Sequence, residues 1–323
     1  SYMAGFVFEK LGNADEAALQ WQRVQFEAAL STWSETSAKE IDGIRGRLSP
    51  ETIQRLERPS PELLFARAGL YYRKQRNEKS EADYARLLGY DELTPEQHCE
   101  ASYYRANSVY KQRNRTKAAP LFLEALDSCE DAKVADLFVK SAYQAGRSFA
   151  TLGQYDKALT HYALIEQKHP EHSYADDARL LQAEVYRSLN KEKQEEEFLG
   201  SMADKYPDGD MLGEAMWRLA WRAYKKKSYG VAIQWLEKML TTTPTGEHLW
   251  AEGQAQYWIG RAEAKRGNRE AAIESYRKVI RENALNYYAL LAFNRLRESA
   301  PVVFEDMKKE VAAAPADASS GAL

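Results

Sequence analysis

A set of small, bulky and proline positions recurs along this chain at a nearly constant interval, and such a recurrence dictates a repeat architecture before any other property is weighed. Gly146, Ala183, Ala220 and Gly260 follow one another at steps of 37, 37 and 40 residues, and all four are small. Twelve residues after each come Ala158, Glu195, Ala232 and Ala272; sixteen after come Tyr162, Leu199, Leu236 and Tyr276. Twenty-four after come Pro170, Pro207, Pro244 and Ala284.

The spacing predicts pairs of antiparallel helices. The small anchor on the first helix lets the second approach closely, and the bulky residue one turn further on fills the seam. Proline ends the second helix because it has no amide hydrogen and its ring clashes with the preceding turn. The turn inside each pair carries Gly153, Asn190, Lys227 or Gly267. Counting back, Ala106 with Ala118 and Phe122 marks another unit, and Ala68 with Tyr84 a weaker one, so at least five repeats are expected. Before Pro59 the register is lost, although Ala17 to Thr32 and Glu40 to Glu57 read as helices, as in a terminal cap. The expected fold is an all-α, right-handed superhelical solenoid: capping helices over 1–58, repeats with a closing helix over 59–300, and a short helix and linker over 301–323.

Composition narrows the function. Lys and Arg total 45 against 48 Asp and Glu, which leaves a net charge of −3 and no electrostatic footprint for nucleic acid. No apolar run approaches the ~18 residues of a membrane-spanning helix. The two cysteines, Cys99 and Cys129, read as small buried hydrophobes rather than as a disulfide or a metal pair. Ser1-Tyr2-Met3-Ala4 reads as a cloning remnant behind which an export signal could have been removed, and Ala312 to Leu323 reads as an interdomain linker.

The small-12-small-4-bulky-8-Pro arrangement resembles the tetratricopeptide repeat over roughly residues 62–285, with units longer than its usual ~34 residues. Two further segments, Tyr257-Trp258-Ile259-Gly260-Arg261-Ala262 and Asn286-Tyr287-Tyr288-Ala289-Leu290-Leu291-Ala292-Phe293-Asn294-Arg295-Leu296, resemble the end of the superhelical domain of soluble lytic murein transglycosylases. That resemblance implies a periplasmic, non-catalytic domain that handles peptidoglycan or a partner on behalf of a catalytic domain elsewhere. The Glu298-Ser299 pair resembles that family's catalytic dipeptide but leads into Ala300-Pro301 without the Gly-Leu-Met-Gln segment, so no active site is expected here. A second resemblance, carried by His169-Pro170 with Tyr174-Ala175-Asp176-Asp177-Ala178, is to envelope scaffolds of outer-membrane assembly or cell division, whose partners are proteins. A cytoplasmic adaptor is the remaining reading.

The first helix of each pair lines the concave face of such solenoids, which singles out Tyr103, Tyr143, Arg147, Trp217, Trp221, Tyr257 and Arg261 as ligand contacts. Aromatic rings beside guanidinium groups suit stacking on sugars or clamping a peptide with a carboxylate. The same rings suit packing between repeats equally well. Five scattered histidines give no metal-ligand spacing, Glu195-Glu196-Glu197 reads as a solvated face, and Lys225-Lys226-Lys227 complements a helix C-terminus. No phosphate loop occurs, and no cofactor is expected.

Overall fold

A computed structural model describes residues 2–242, 253–284 and 286–313. All regular elements among these residues are helical. In chain order they are α1 (Tyr2–Lys10), α2 (Ala14–Glu27), α3 (Thr32–Ile44), α4 (Pro50–Glu57), α5 (Pro61–Arg73), α6 (Asn77–Leu87), α7 (Pro95–Lys111), α8 (Arg115–Asp131), α9 (Ala135–Thr151) and α10 (Tyr155–Lys168). These are followed by α11 (Ala175–Ser188), α12 (Glu192–Gly200), α13 (Met202–Lys205), α14 (Leu212–Lys225), α15 (Tyr229–Thr242), α16 (Gln254–Arg266), α17 (Arg269–Glu282), α18 (Tyr287–Ser299) and α19 (Pro301–Ala313). The chain forms two compact units, Ser1–Ala178 and Arg179–Leu323.

The seams are built as the spacing requires. A methyl group on Gly146 would lie 2.5 Å from Cε1 of Tyr162, and one on Gly260 would lie 2.7 Å from Cε1 of Tyr276. Both tyrosines are fully buried, so neither ring can yield. Where the anchor is Ala183 or Ala220 the seam residue is the smaller Leu199 or Leu236, also buried, so the volumes compensate across the pair. The turn residues Gly153, Asn190, Lys227 and Gly267 all have positive φ, at 72°, 56°, 62° and 87°. That left-handed residue ends the first helix and redirects the chain. Gln75 and Arg113 do the same in earlier pairs, and Lys133, also at positive φ, ends the second helix α8 before α9. Pro170 and Pro207 follow α10 and α13 as expected, whereas Pro50, Pro61 and Pro95 open helices at the position where a missing amide costs nothing. Pro244 lies outside the described residues.

Successive pairs are tied by side chains one repeat apart. Asn107 reaches Tyr72, Arg218 reaches Glu184, Lys226 reaches Glu192 and Gln254 reaches Tyr288, at sequence separations of 34 or 35. Contact with nearest neighbours only is what makes such arrays quasi-one-dimensional.

Three expectations need correction. Cys99 and Cys129 are fully buried, yet they are joined as a disulfide that links α7 to α8. Their positions on facing helices bring the Cα atoms to 4.6 Å, a closeness that sequence separation does not reveal. Glu195 is not on a solvated face: it is 4% exposed and ion-paired with Arg222, occupying the position where the other pairs place alanine. Helix α1 is packed on α2, with Gly5 against the Trp21 indole and Trp21 Nε1 donating to the Tyr2 carbonyl at 3.1 Å. The single helix expected from Glu40 to Glu57 is broken by a 3-10 turn at Arg45–Arg47 before Pro50 starts α4.

Candidate functional site

The strongest concentration of candidate residues is in the second unit. Trp217, Trp221 and Tyr224 are spaced i, i+4, i+7 on α14 and therefore share one face of that helix. Their rings form a column: Trp217 stacks on Trp221 at 5.7 Å and Trp221 on Tyr224 at 5.8 Å. Trp258 of α16 stands edge-on against it, 4.8 Å from Trp221 and 5.0 Å from Tyr224. Trp217, Tyr224 and Trp258 lean on a core of Ala220, Ile233, Leu236, Ile259 and Ala262. All four rings are half-buried, which leaves apolar surface open to a partner and anchors it from below.

Arg261 extends this surface. Its guanidinium lies 5.3 Å from the Trp258 ring, within cation–π range, and Nη1 donates to the Tyr257 hydroxyl at 3.1 Å. The same hydroxyl lies close enough to Arg295 of α18 to favour its charged form. Tyr257 itself is 1% exposed, packed between Tyr276 and Tyr288, so it positions Arg261 and cannot meet a ligand. The phenol of Tyr224 is pushed up by burial, against which the neighbouring Arg261 charge acts, and it stays protonated near neutrality.

The expected contacts in the first unit are distributed differently. Tyr103 is buried, and its hydroxyl accepts a hydrogen bond from Asn107 Nδ2 at 3.0 Å, while the same amide donates to Tyr72 at 2.9 Å. Burial holds the Tyr103 phenol neutral by raising its pKa. Tyr143 is half-buried, 4.8 Å from the Tyr174 ring and donating to Asp177 at 3.4 Å; burial first, then the Asp177 charge, pushes its phenol up to about 12. Arg147 is exposed, 5.6 Å from the Tyr143 ring and 5.9 Å from that of Tyr110. Of the seven sequence-derived contacts, Trp217, Trp221 and Arg261 form one open surface, Tyr143 and Arg147 form a smaller one, and Tyr103 and Tyr257 are structural.

Trp258, Tyr224 and Arg295 were not singled out by position. Trp258 falls two residues before its anchor, one off the register used to find inward positions, and Tyr224 falls four after. A search for aromatics at i, i+4 and i+7 would have recovered Tyr224. Arg295 lies in a segment whose partner is set only by packing. The Glu298-Ser299 pair is at the end of α18, where Glu298 is exposed and ion-paired with Arg295 at 2.8 Å.

With this geometry in hand, comparison with known proteins is informative. One sequence model described as tetratricopeptide repeat matches residues 57–133, and another matches 140–172 and 254–285. The C-terminal part of a TPR repeat-containing protein from Cytophaga hutchinsonii superposes with a TM-score of 0.55 over 90% of this chain and 99% of its own, at 13% identity. The chain is an all-α solenoid of tetratricopeptide-type helix pairs. BtubC (BKLC) from P. vanneervenii reaches a TM-score of 0.48 at 18% identity, covering 66% of this chain and 91% of that one. The pilF protein of Pseudomonas aeruginosa reaches 0.45 at 14% identity, covering 74% and 96%. No curated protein matches the sequence. Neither matching repeat model describes a lytic transglycosylase. No described helix is long and apolar enough to cross a membrane.

Proposed function

We propose that this chain is a scaffold for protein–protein interaction, and that a segment of its partner is held on the Trp217, Trp221, Trp258 and Arg261 surface of the second unit. The observation that carries this reading is an aromatic column left half-open beside a guanidinium group, the residue types that dominate the energetics of protein interfaces. The tetratricopeptide-type fold supports it, because stacked helix pairs present an extended binding surface. The buried Cys99–Cys129 disulfide supports an exported location, the periplasm, since such bonds persist in oxidising compartments. The test is site-specific photo-crosslinking in the native host with benzoylphenylalanine at Trp221, and with Lys278 on α17 as the control position. A defined protein adduct at Trp221 alone is expected. Adducts absent at both positions, or equal at both, would refute the placement.

A second reading, peptidoglycan handling for a lytic transglycosylase catalytic domain, is supported by one feature. Arg261 and Arg295, from the two segments that resemble that family, line one cleft. Retention of the chain on peptidoglycan sacculi, lost in a Trp221→Ala, Arg261→Ala variant, would favour it. No retention removes it.

A further inference from the structure

Beside the aromatic column, on the far side of Arg261, the C-terminal ends of α16 and α18 and the start of α17 enclose a cleft of about 390 Å³. Four cations line it, Arg261, Lys265, Arg269 and Arg295, against one carboxylate, Glu298. That carboxylate is already paired with Arg295, and Arg269 donates to the Ser299 carbonyl at 2.6 Å. Arg261 has no carboxylate at ion-pairing distance among the described residues; its side-chain hydrogen bond goes to the Tyr257 hydroxyl. Two guanidinium groups, those of Arg261 and Arg295, thus lie together against their mutual repulsion in the lining of a cleft with an excess of positive charge.

Resting on the interaction reading, we propose that this cleft is an oxyanion subsite that takes a carboxylate of the partner segment while an adjacent apolar side chain lies on Trp258 and Trp221. Guanidinium groups favour planar oxyanions through paired, charge-assisted hydrogen bonds, and a carboxylate supplies the two acceptors. The cleft is at the small end of ligand sites, large enough for one or two side chains. Because Arg261 borders both the cleft and the aromatic column, the partner segment is acidic and apolar at neighbouring positions rather than uniformly acidic.

The test is selection of random dodecapeptides displayed against the full chain, in one library flanked at both ends and in a second with free C-termini. Enrichment of Asp or Glu next to an aromatic or aliphatic residue is expected, with affinity of the selected peptides falling about tenfold or more in Arg261→Gln and Arg295→Gln. Both substitutions keep a polar side-chain amide in place of the guanidinium, and unchanged thermal unfolding shows that the fold survives. Arg261→Lys, which keeps the charge but not the planar fork, should recover only part of the loss. Enrichment confined to the free-C-terminus library would identify the terminal carboxylate as the source, and enrichment in both would identify side chains. Selected peptides without carboxylates, or acidic peptides indifferent to both arginine variants, would overturn the subsite and leave the scaffold reading intact. Failure to enrich any peptide would overturn both.

Discussion

Adding one methyl group at Gly146 tests the packing logic of the whole array. Two effects oppose each other. Alanine is favoured over glycine in a helix interior by about 1 kcal/mol. The new Cβ, however, would lie 2.5, 2.8 and 2.9 Å from three atoms of the Tyr162 ring, which is 1% exposed and has nowhere to go. Overpacking of this kind costs about 1–3 kcal/mol. Gly146→Ala is therefore expected to destabilise by up to about 2 kcal/mol, which for a domain of this size corresponds to a fall in Tm of up to about 8 °C. Gly43 on α3 supplies the control, because nothing lies within 4 Å of its Cβ position, so only the propensity gain applies. Gly43→Ala should be neutral or stabilising, by up to about 1 kcal/mol. Urea and thermal unfolding of both variants read the sign directly. Replacing Tyr162 by leucine, the residue found opposite the alanine anchors, should make Gly146→Ala much less costly, with a coupling of about 0.5–3 kcal/mol in the double-variant cycle. Stabilisation by Gly146→Ala, or strict additivity with Tyr162→Leu, would refute the seam argument.

Reduction of the disulfide opens a loop of sequence separation 30, and chain entropy assigns its closure about 3–4 kcal/mol, so a Cys99→Ala, Cys129→Ala variant should unfold at distinctly lower urea concentration. An unchanged midpoint would show that α7 and α8 hold without the bond. Lys227 has a φ of 62°, a conformation that costs a side-chain-bearing residue about 1–2 kcal/mol, so Lys227→Gly should be slightly stabilising. Gly153→Ala, at a φ of 72°, should be destabilising by about 1 kcal/mol, and a common sign for the two would contradict the turn assignment. Burial, followed by the nearby His172 and Lys168 charges, lowers the pKa of His169 below its ordinary 6.5. The folded state therefore disfavours the protonated form, and stability present above pH 6.5 should decline as pH falls through and below that value. His169→Gln should flatten that decline in urea midpoints measured from pH 7.5 to 5, and an unaltered slope would remove His169 as its source.

Much of the fold is legible in the linear order. Gly146 with Tyr162 and Gly260 with Tyr276 mark the seams, Gly153, Asn190, Lys227 and Gly267 mark the turns, and Pro170 and Pro207 mark the ends. These features are written in sequence because each depends on residues within one helix pair, through local backbone sterics and the 3.6-residue period. Other features are decided between elements. Whether an aromatic is core or surface depends on neighbours from other helices: Tyr257 is enclosed by Tyr276 of α17 and Tyr288 of α18, whereas Trp258, one residue later, stays half-open on the α14 column. Contacts between helices likewise hid the Cys99–Cys129 bond within one pair, the buried Glu195–Arg222 pair and the placing of Arg261 and Arg295 in one cleft. The periodicity of the chain thus determined the helix pairs and their order. The lateral register of one pair against the next, set by side-chain volume and charge across the stack, decided which of those residues remain free to bind.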